Sequence, residues 1–257
     1  MWIFVLAGFG VVALAHTWPA RFVLDVLAGD RSVWRMPRNG SPTVYLTYDD
    51  GPNPATTPDL LDVLAREEVP ATFFLIDEHV TEDTAPLIRR MFAEGHSIGL
   101  HSKSRSYMLM APEDLASTLD AFAARIEGLG GAKPCRTFRP HAGWRSGEMY
   151  NGLKRGGYQL IGWGWNRWDW NWFRTRTADV IVKRISRASA GDIIVMHDAD
   201  EGAPDVDQRQ TVDATARLIP ILRARGFAFG KVCENQTAWS SKNSAAPLSP
   251  TLQPSGA

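Results

Sequence analysis

From Thr43 onward the chain repeats one pattern: a short apolar run of strand length, then a longer segment with apolar residues at helical spacing. The first run alternates Val44, Leu46 and Tyr48 with Thr43, Tyr45 and Thr47, a β-rich composition that predicts a strand. Leu60, Leu61 and Leu64 mark a helix over 57–69, and the apolar run 71–76 marks the next strand. The same reading gives helices over 85–94, 112–129, 147–155, 178–188 and 212–225, with strands at 97–102, 137–140, 158–165, 192–197 and 227–232. Pro112 opens the longest helix and Gly130-Gly131 closes it. Seven strands alternating with helices predict an α/β fold around a parallel sheet, a topology that can close into a barrel. No internal repeat is evident.

Two segments stand outside this alternation. Residues 2–15 carry no charge, and extension to Ala20 adds only His16 and Thr17 as polar interruptions. That is short for a spanning helix of ~20 apolar residues. Ala13-Leu14-Ala15 is a small-residue site of the signal-peptide type, but no basic stretch precedes the run. We read 1–20 as a membrane anchor or signal-like segment, 21–40 as a linker, 41–234 as the domain that carries the strand–helix alternation and 235–257 as a disordered tail rich in Ser, Pro, Asn and Ala. Arg21, Arg31, Arg35 and Arg38 follow the apolar run, which by the positive-inside rule favours a cytoplasmic domain, whereas a signal-like reading of the run favours the other side. The orientation stays open, with the extracytoplasmic one favoured.

Composition narrows the partners. Lys plus Arg equals Asp plus Glu at 28 each, with no basic tract, which argues against nucleic acid. A monomer is expected. Cys135 and Cys233 lack metal or redox spacing; they could pair outside the cytoplasm, but for two cysteines so distant in sequence two buried free thiols are the commoner outcome. Asn235-Gln-Thr237 fits a glycosylation sequon.

The candidate chemistry collects at strand ends. Asp49 and Asp50 are adjacent carboxylates that a regular strand would point to opposite sides; at a strand end stopped by Gly51-Pro52 they can converge. Two anions so close call for a cation or a shared proton. A metal held by one acid, with the other as a base towards water, satisfies both, although Asp-Gly-Pro is also ordinary turn chemistry. His101, Arg139, the stretch 166–170 and His197-Asp198 fall at the ends of other strands. In a parallel barrel those ends share one face.

In order along the chain, Thr47-Tyr-Asp-Asp-Gly-Pro52, Gly95-His-Ser-Ile-Gly-Leu-His-Ser102, Phe138-Arg-Pro-His-Ala-Gly143, Trp168-Asp-Trp170 and Ile193-Ile-Val-Met-His-Asp198 resemble the five motifs of the polysaccharide deacetylases, the NodB-homology group or carbohydrate esterase family four. The resemblance covers about residues 42–232. It implies a distorted parallel (β/α) barrel of about seven strands and a metal-dependent N-deacetylase. Carried over by position, Asp49 is the general base, Asp50 and His101 ligate a divalent metal (zinc by the family's usage), and Arg139 orients Asp49. His197 is the general acid and Asp169 tunes it. Trp170 helps wall the acetyl pocket, and a backbone N–H near Ala142 completes an oxyanion site. The implied partner is an acetylated amino-sugar glycan or a lipid-linked sugar, with the membrane reached through the N-terminal segment.

Three positions depart from the pattern. The motif beginning at Gly95 normally supplies a second His four residues after the first; here it is Arg105, a fixed cation with no lone pair to give a metal. His141 stands where the family usually has Pro, and Asn166 where it usually has Asp. Three outcomes follow: His141 substitutes as ligand, water fills the position, or the metal is lost and Arg105 offers positive charge to an anionic substrate. Trp163 and Trp165 read as core, whereas Trp168 and Trp172 are candidates for stacking on sugar or for packing on the rim. His79 and His96 read as structural. The leading function is removal of N-acetyl groups from N-acetylhexosamine units of an envelope glycan or lipid-linked saccharide. The alternatives are a catalytically degenerate glycan-binding barrel and an O-acetyl esterase on the same scaffold.

Overall fold

In the computed structural model, which describes residues 32–38, 40–164, 169, 177–203 and 205–235, one parallel sheet carries the chain. Its strands are β1 (Ser32–Val33), β2 (Thr43–Asp49), β3 (Thr72–Ile76), β4 (Ser97–His101), β5 (Thr137–Arg139), β6 (Gln159–Ile161), β7 (Ile193–His197) and β8 (Ala228–Phe229). The order is β1-β6-β5-β4-β3-β2-β7, with β8 beside the start of β2. Helices α1 (Thr57–Arg66), α2 (Ala85–Ala93), α3 (Pro112–Gly130), α4 (Gly147–Gly156), α5 (Ala178–Ile185) and α6 (Arg209–Ala224) lie in the intervals, as the apolar spacing predicts. Between β6 and β7 single bonds replace the ladder: Gly164 N–H donates to Ile193 O at 2.9 Å, and Arg35 bridges Asp192. The result is a curled α/β half-barrel, distorted at that seam.

The strands are buried on both faces, so they read as nearly continuous apolar runs. Their alternation still sorts two cores. Val44, Leu46, Tyr48, Phe73, Leu75, Ile98, Leu100 and Phe138 belong to the large cluster that includes the helices' apolar residues. Tyr45, Phe74, Ile161, Ile193, Met36 and Val232 form a smaller second cluster on the opposite face, inside the curl. The inner face of β2 therefore runs Tyr45, Thr47, Asp49: apolar at the start of the strand and charged at its end.

Two expectations need correction. In its described part, the linker expected over 21–40 is integral to the barrel. β1 pairs with β6, Trp34 and Met36 are buried, and Met36 N–H donates to Gly191 O at 2.8 Å. A two-residue strand is too short to show a period, which is why the sequence pattern passes over it. The Trp34 ring lies where a side chain at Gly162 would be, 2.0 Å from an added Cβ, so glycine is what lets β1 dock there. The second correction concerns the cysteines, which form a disulfide and are not free thiols. Cys135 enters β5 with its N–H on Ile98 O, and Cys233 lies in the closing turn, where Val232 N–H donates to Thr72 Oγ1 at the start of β3. Separation by 98 residues becomes a Cα–Cα distance of 6.0 Å because the C-terminal segment crosses the end of the barrel where the strands begin.

No helix among the described residues is long and apolar enough to cross a membrane. The expected anchor at 1–20, the tail from 236, and Trp165, Asn166, Trp168, Trp170 and Trp172 lie outside the described residues.

Candidate active site

Asp49 is the last residue of β2, and the parallel register sets it beside His197 of β7 on one side and Phe74 of β3 on the other. Its Oδ1 accepts from Arg139 Nη1 at 2.6 Å. Arg139 is entirely buried, and each of its three guanidinium nitrogens donates. Nη1 also reaches Thr47 Oγ1 at 2.8 Å, Nη2 donates to Gly162 O at 3.2 Å and Nε to Ile161 O at 3.4 Å. Its guanidinium lies 4.0 Å from the Phe74 ring centroid. Phe74 can lie flat there because β4 carries Gly99, where a Cβ would come within 2.6 Å of the ring. Burial lowers the Arg139 pKa, while the charge of Asp49 and the bond to it oppose that shift.

Asp50 leaves the strand with φ of 74°, a left-handed conformation that Asp tolerates better than most residues. This turn sends the second carboxylate away from Arg139 and onto His101. It is held by His79 Nδ1 at 2.7 Å from Asp50 O and by Ile76 N–H on Gly51 O. Gly51 is obligatory, because a Cβ there would meet Asp198 Oδ2 at 2.7 Å. Asp50 Oδ1 lies 3.2 Å from His101 Nε2, while His101 Nδ1–H donates to Arg139 O at 2.7 Å. Burial would raise the Asp50 pKa, but the His101 bond and neighbouring imidazoles bring it below the ordinary value. Burial would lower His101, and the charge of Asp49 with the bond to Asp50 raises it instead.

The second proton-transfer candidate is His197 at the end of β7. Its Nδ1–H donates to Asp169 Oδ1 at 2.7 Å and its backbone N–H to Asp169 Oδ2 at 2.8 Å. Burial alone would lower its pKa; Asp169, then Asp50 and Asp49, push it up to about 9. Its Nε2 is thereby left as the atom that can give up or take a proton.

Arg105 begins a short turn (Arg105–Leu109) and stacks 4.8 Å from the Trp144 ring centroid. His141 and Ala142 follow β5, Ala142 with φ of 48°. His141 Nδ1 lies 2.6 Å from Glu201 Oε2, a partner in the loop after β7 that the sequence reading passes over. Nothing in the run Asp198-Ala-Asp-Glu201 has helical or strand periodicity, and only the unusual His141 hints that a carboxylate faces it. Also unread are Thr47, whose hydroxyl takes an Arg139 proton and donates to Ile194 O, and Thr57, which donates to the buried Asp198 Oδ2. Burial, with the charges of Asp50 and Asp49, raises the Asp198 pKa to about 7. His79 and His96 are structural, as expected, the latter accepting Ala71 N–H at 3.1 Å.

An imidazole nitrogen whose other nitrogen is fixed on a carbonyl, facing a carboxylate, is donor chemistry that suits a divalent first-row metal. Among the described residues, however, no three His, Cys, Asp or Glu side chains stand close enough to form a ready cage.

A parallel barrel with a buried carboxylate–arginine pair and a histidine–aspartate pair at the strand ends defines a hydrolase equipped for acid–base chemistry. The polysaccharide deacetylase sequence model matches residues 37–161. A chitooligosaccharide deacetylase of Sinorhizobium fredii is 35% identical over 216 residues, covering 78% of this chain and 95% of the relative. A peptidoglycan-N-acetylglucosamine deacetylase of Bacillus cereus is 29% identical over 201 residues, covering 78% and 91%. Among solved structures, a family 4 acetyl xylan esterase from Clostridium thermocellum in complex with a cobalt ion superposes with a TM-score of 0.66 at 31% identity, covering 77% of this chain and 92% of that one. The chain belongs to the polysaccharide deacetylase family.

Proposed function

We propose that the protein removes N-acetyl groups from N-acetylhexosamine units of a cell-envelope glycan or lipid-linked saccharide. The observation that carries this reading is the placement of two separate proton-transfer pairs, Asp49–Arg139 and His197–Asp169, on adjacent strand ends in register. Arg139 aims Asp49, so that Asp49 takes the proton of the attacking water. His197 enters the reaction protonated and gives its Nε2 proton to the departing amine, while Asp169 fixes the ring and balances its charge. The backbone N–H of Ala142 is the donor for the developing oxyanion. Asp50 and His101 would hold a divalent cation, which supplies Lewis-acid polarisation and acidifies water when bound. Zinc and cobalt are both consistent with an imidazole–carboxylate set. Arg105 and Trp170 are the proposed contacts to substrate.

Extracytoplasmic placement is supported by the Cys135–Cys233 disulfide, since such bonds persist in oxidising compartments. In this reading the N-terminal apolar segment tethers a monomer to the membrane. The kinship to an acetyl xylan esterase favours a second reading, O-deacetylation, because the same attack by water serves an ester.

The test is acetate release from chitooligosaccharides and from acetylated xylan by the full chain in detergent, with and without chelator. Asp49→Asn is expected to abolish release while sparing glycan binding. Turnover by that variant would remove Asp49 from the mechanism; binding without release by the unsubstituted chain would establish the degenerate glycan-binding alternative.

A further inference from the structure

The Arg105 departure leaves the cation with two donors, fewer than the three protein ligands usual at a catalytic zinc. Arg105 itself is turned onto Trp144 and has no lone pair to offer. We propose that His141, backed by Glu201, is the third protein ligand of the cation held by Asp50 and His101. The inference rests on the metal-dependent reading above and adds to it a donor from a different strand end.

Two observations place His141 for this role. First, β4 and β5 pair with His101 opposite Arg139, and His141 lies two residues beyond; its backbone N–H donates to Ser102 Oγ at 2.8 Å, which pins it beside the residue after His101. Second, Glu201 takes Nδ1, so a neutral ring carries its lone pair on Nε2. A carboxylate on the far nitrogen is how metal-binding imidazoles are commonly oriented. His141 and Glu201 thus meet from the loops after β5 and β7, at the strand ends where His101 and His197 also lie. The described side chains do not form a cage, so coordination needs a rotation of the His141 ring. Glu201 is about half exposed on its loop and can follow that rotation.

The experiment is titration of the full, chelator-stripped chain in detergent with zinc by calorimetry and with cobalt by its visible absorption. His141→Ala is expected to weaken zinc at least about 10-fold and to change the cobalt band intensities, because a ligand is lost; Glu201→Gln is expected to weaken binding within the ~10–100-fold range of outer partners. Adding Arg105→His to His141→Ala restores a donor at the family's usual position and is expected to recover affinity. Thermal unfolding in chelator checks that each variant is folded. Unchanged zinc affinity and cobalt spectrum in folded His141→Ala would overturn the assignment while leaving the deacetylase reading intact if the unsubstituted chain binds metal and releases acetate. An unsubstituted chain that binds neither metal and releases no acetate would overturn both.

Discussion

Replacing Asp169 with Asn isolates the interaction that makes His197 a strong enough base to arrive protonated. With Asp169 the imidazole is held at about 9, against an ordinary value of 6.5. That difference corresponds to roughly 3 kcal/mol at about 1.4 kcal/mol per pH unit. Without the Asp169 charge, burial pulls the ring down, and only the more distant Asp50 and Asp49 hold it up. If the value falls to the ordinary one, the protonated fraction at pH 8 drops from about nine-tenths to about a thirtieth. The assay is NMR titration of the His197 ring in chelator, run beside a pH profile of acetate release. The expected result is a downward shift of about two pH units or more in the ring titration and in the alkaline limb of activity. Stability moves with the same sign. The unfolded chain loses the proton near 6.5 and the native one near 9, so the pair's contribution is present in full below 6.5 and is lost as pH rises through about 9. Asp169→Asn should flatten that dependence. A His197 titration unchanged in the variant would refute the reasoning, since it would mean that some other group carries the proton affinity.

Two further outcomes follow from burial and covalent topology. Arg139→Met is expected to cost about 3–5 kcal/mol in urea denaturation at pH 7, because it leaves Asp49 as a buried, uncompensated charge. Adding Asp49→Asn should then recover part of the loss, and a double variant no more stable than the single one would show that the charge pair is not what matters. Replacing Cys135 and Cys233 by Ser opens a loop of 98 residues and is expected to lower stability by about 4–5 kcal/mol by the same measurement. A change below about 1 kcal/mol would mean that the contacts of Val232 alone fix the C-terminal segment.

Strand and helix positions were legible because each element carries its own apolar period: Leu60, Leu61 and Leu64 specify a helix face whatever surrounds them, and all three are buried. Asp49, Asp50, His101, Arg139 and His197 were legible because residues at strand ends must share one face of a parallel barrel, so chain order plus topology is enough to gather them. What the sequence could not decide depends on groups brought together from remote segments. β1 is two residues long and exists through its docking of Trp34 on Gly162. The disulfide exists because the chain returns under the barrel, a path length that no spacing rule encodes. Glu201 is an ordinary loop acid until the β5 and β7 loops set it on His141. Local periodicity and order are properties of the chain and can be read from it. Register, loop closure and the electrostatic partner of each buried group are properties of the folded packing, and only the tertiary structure supplied them.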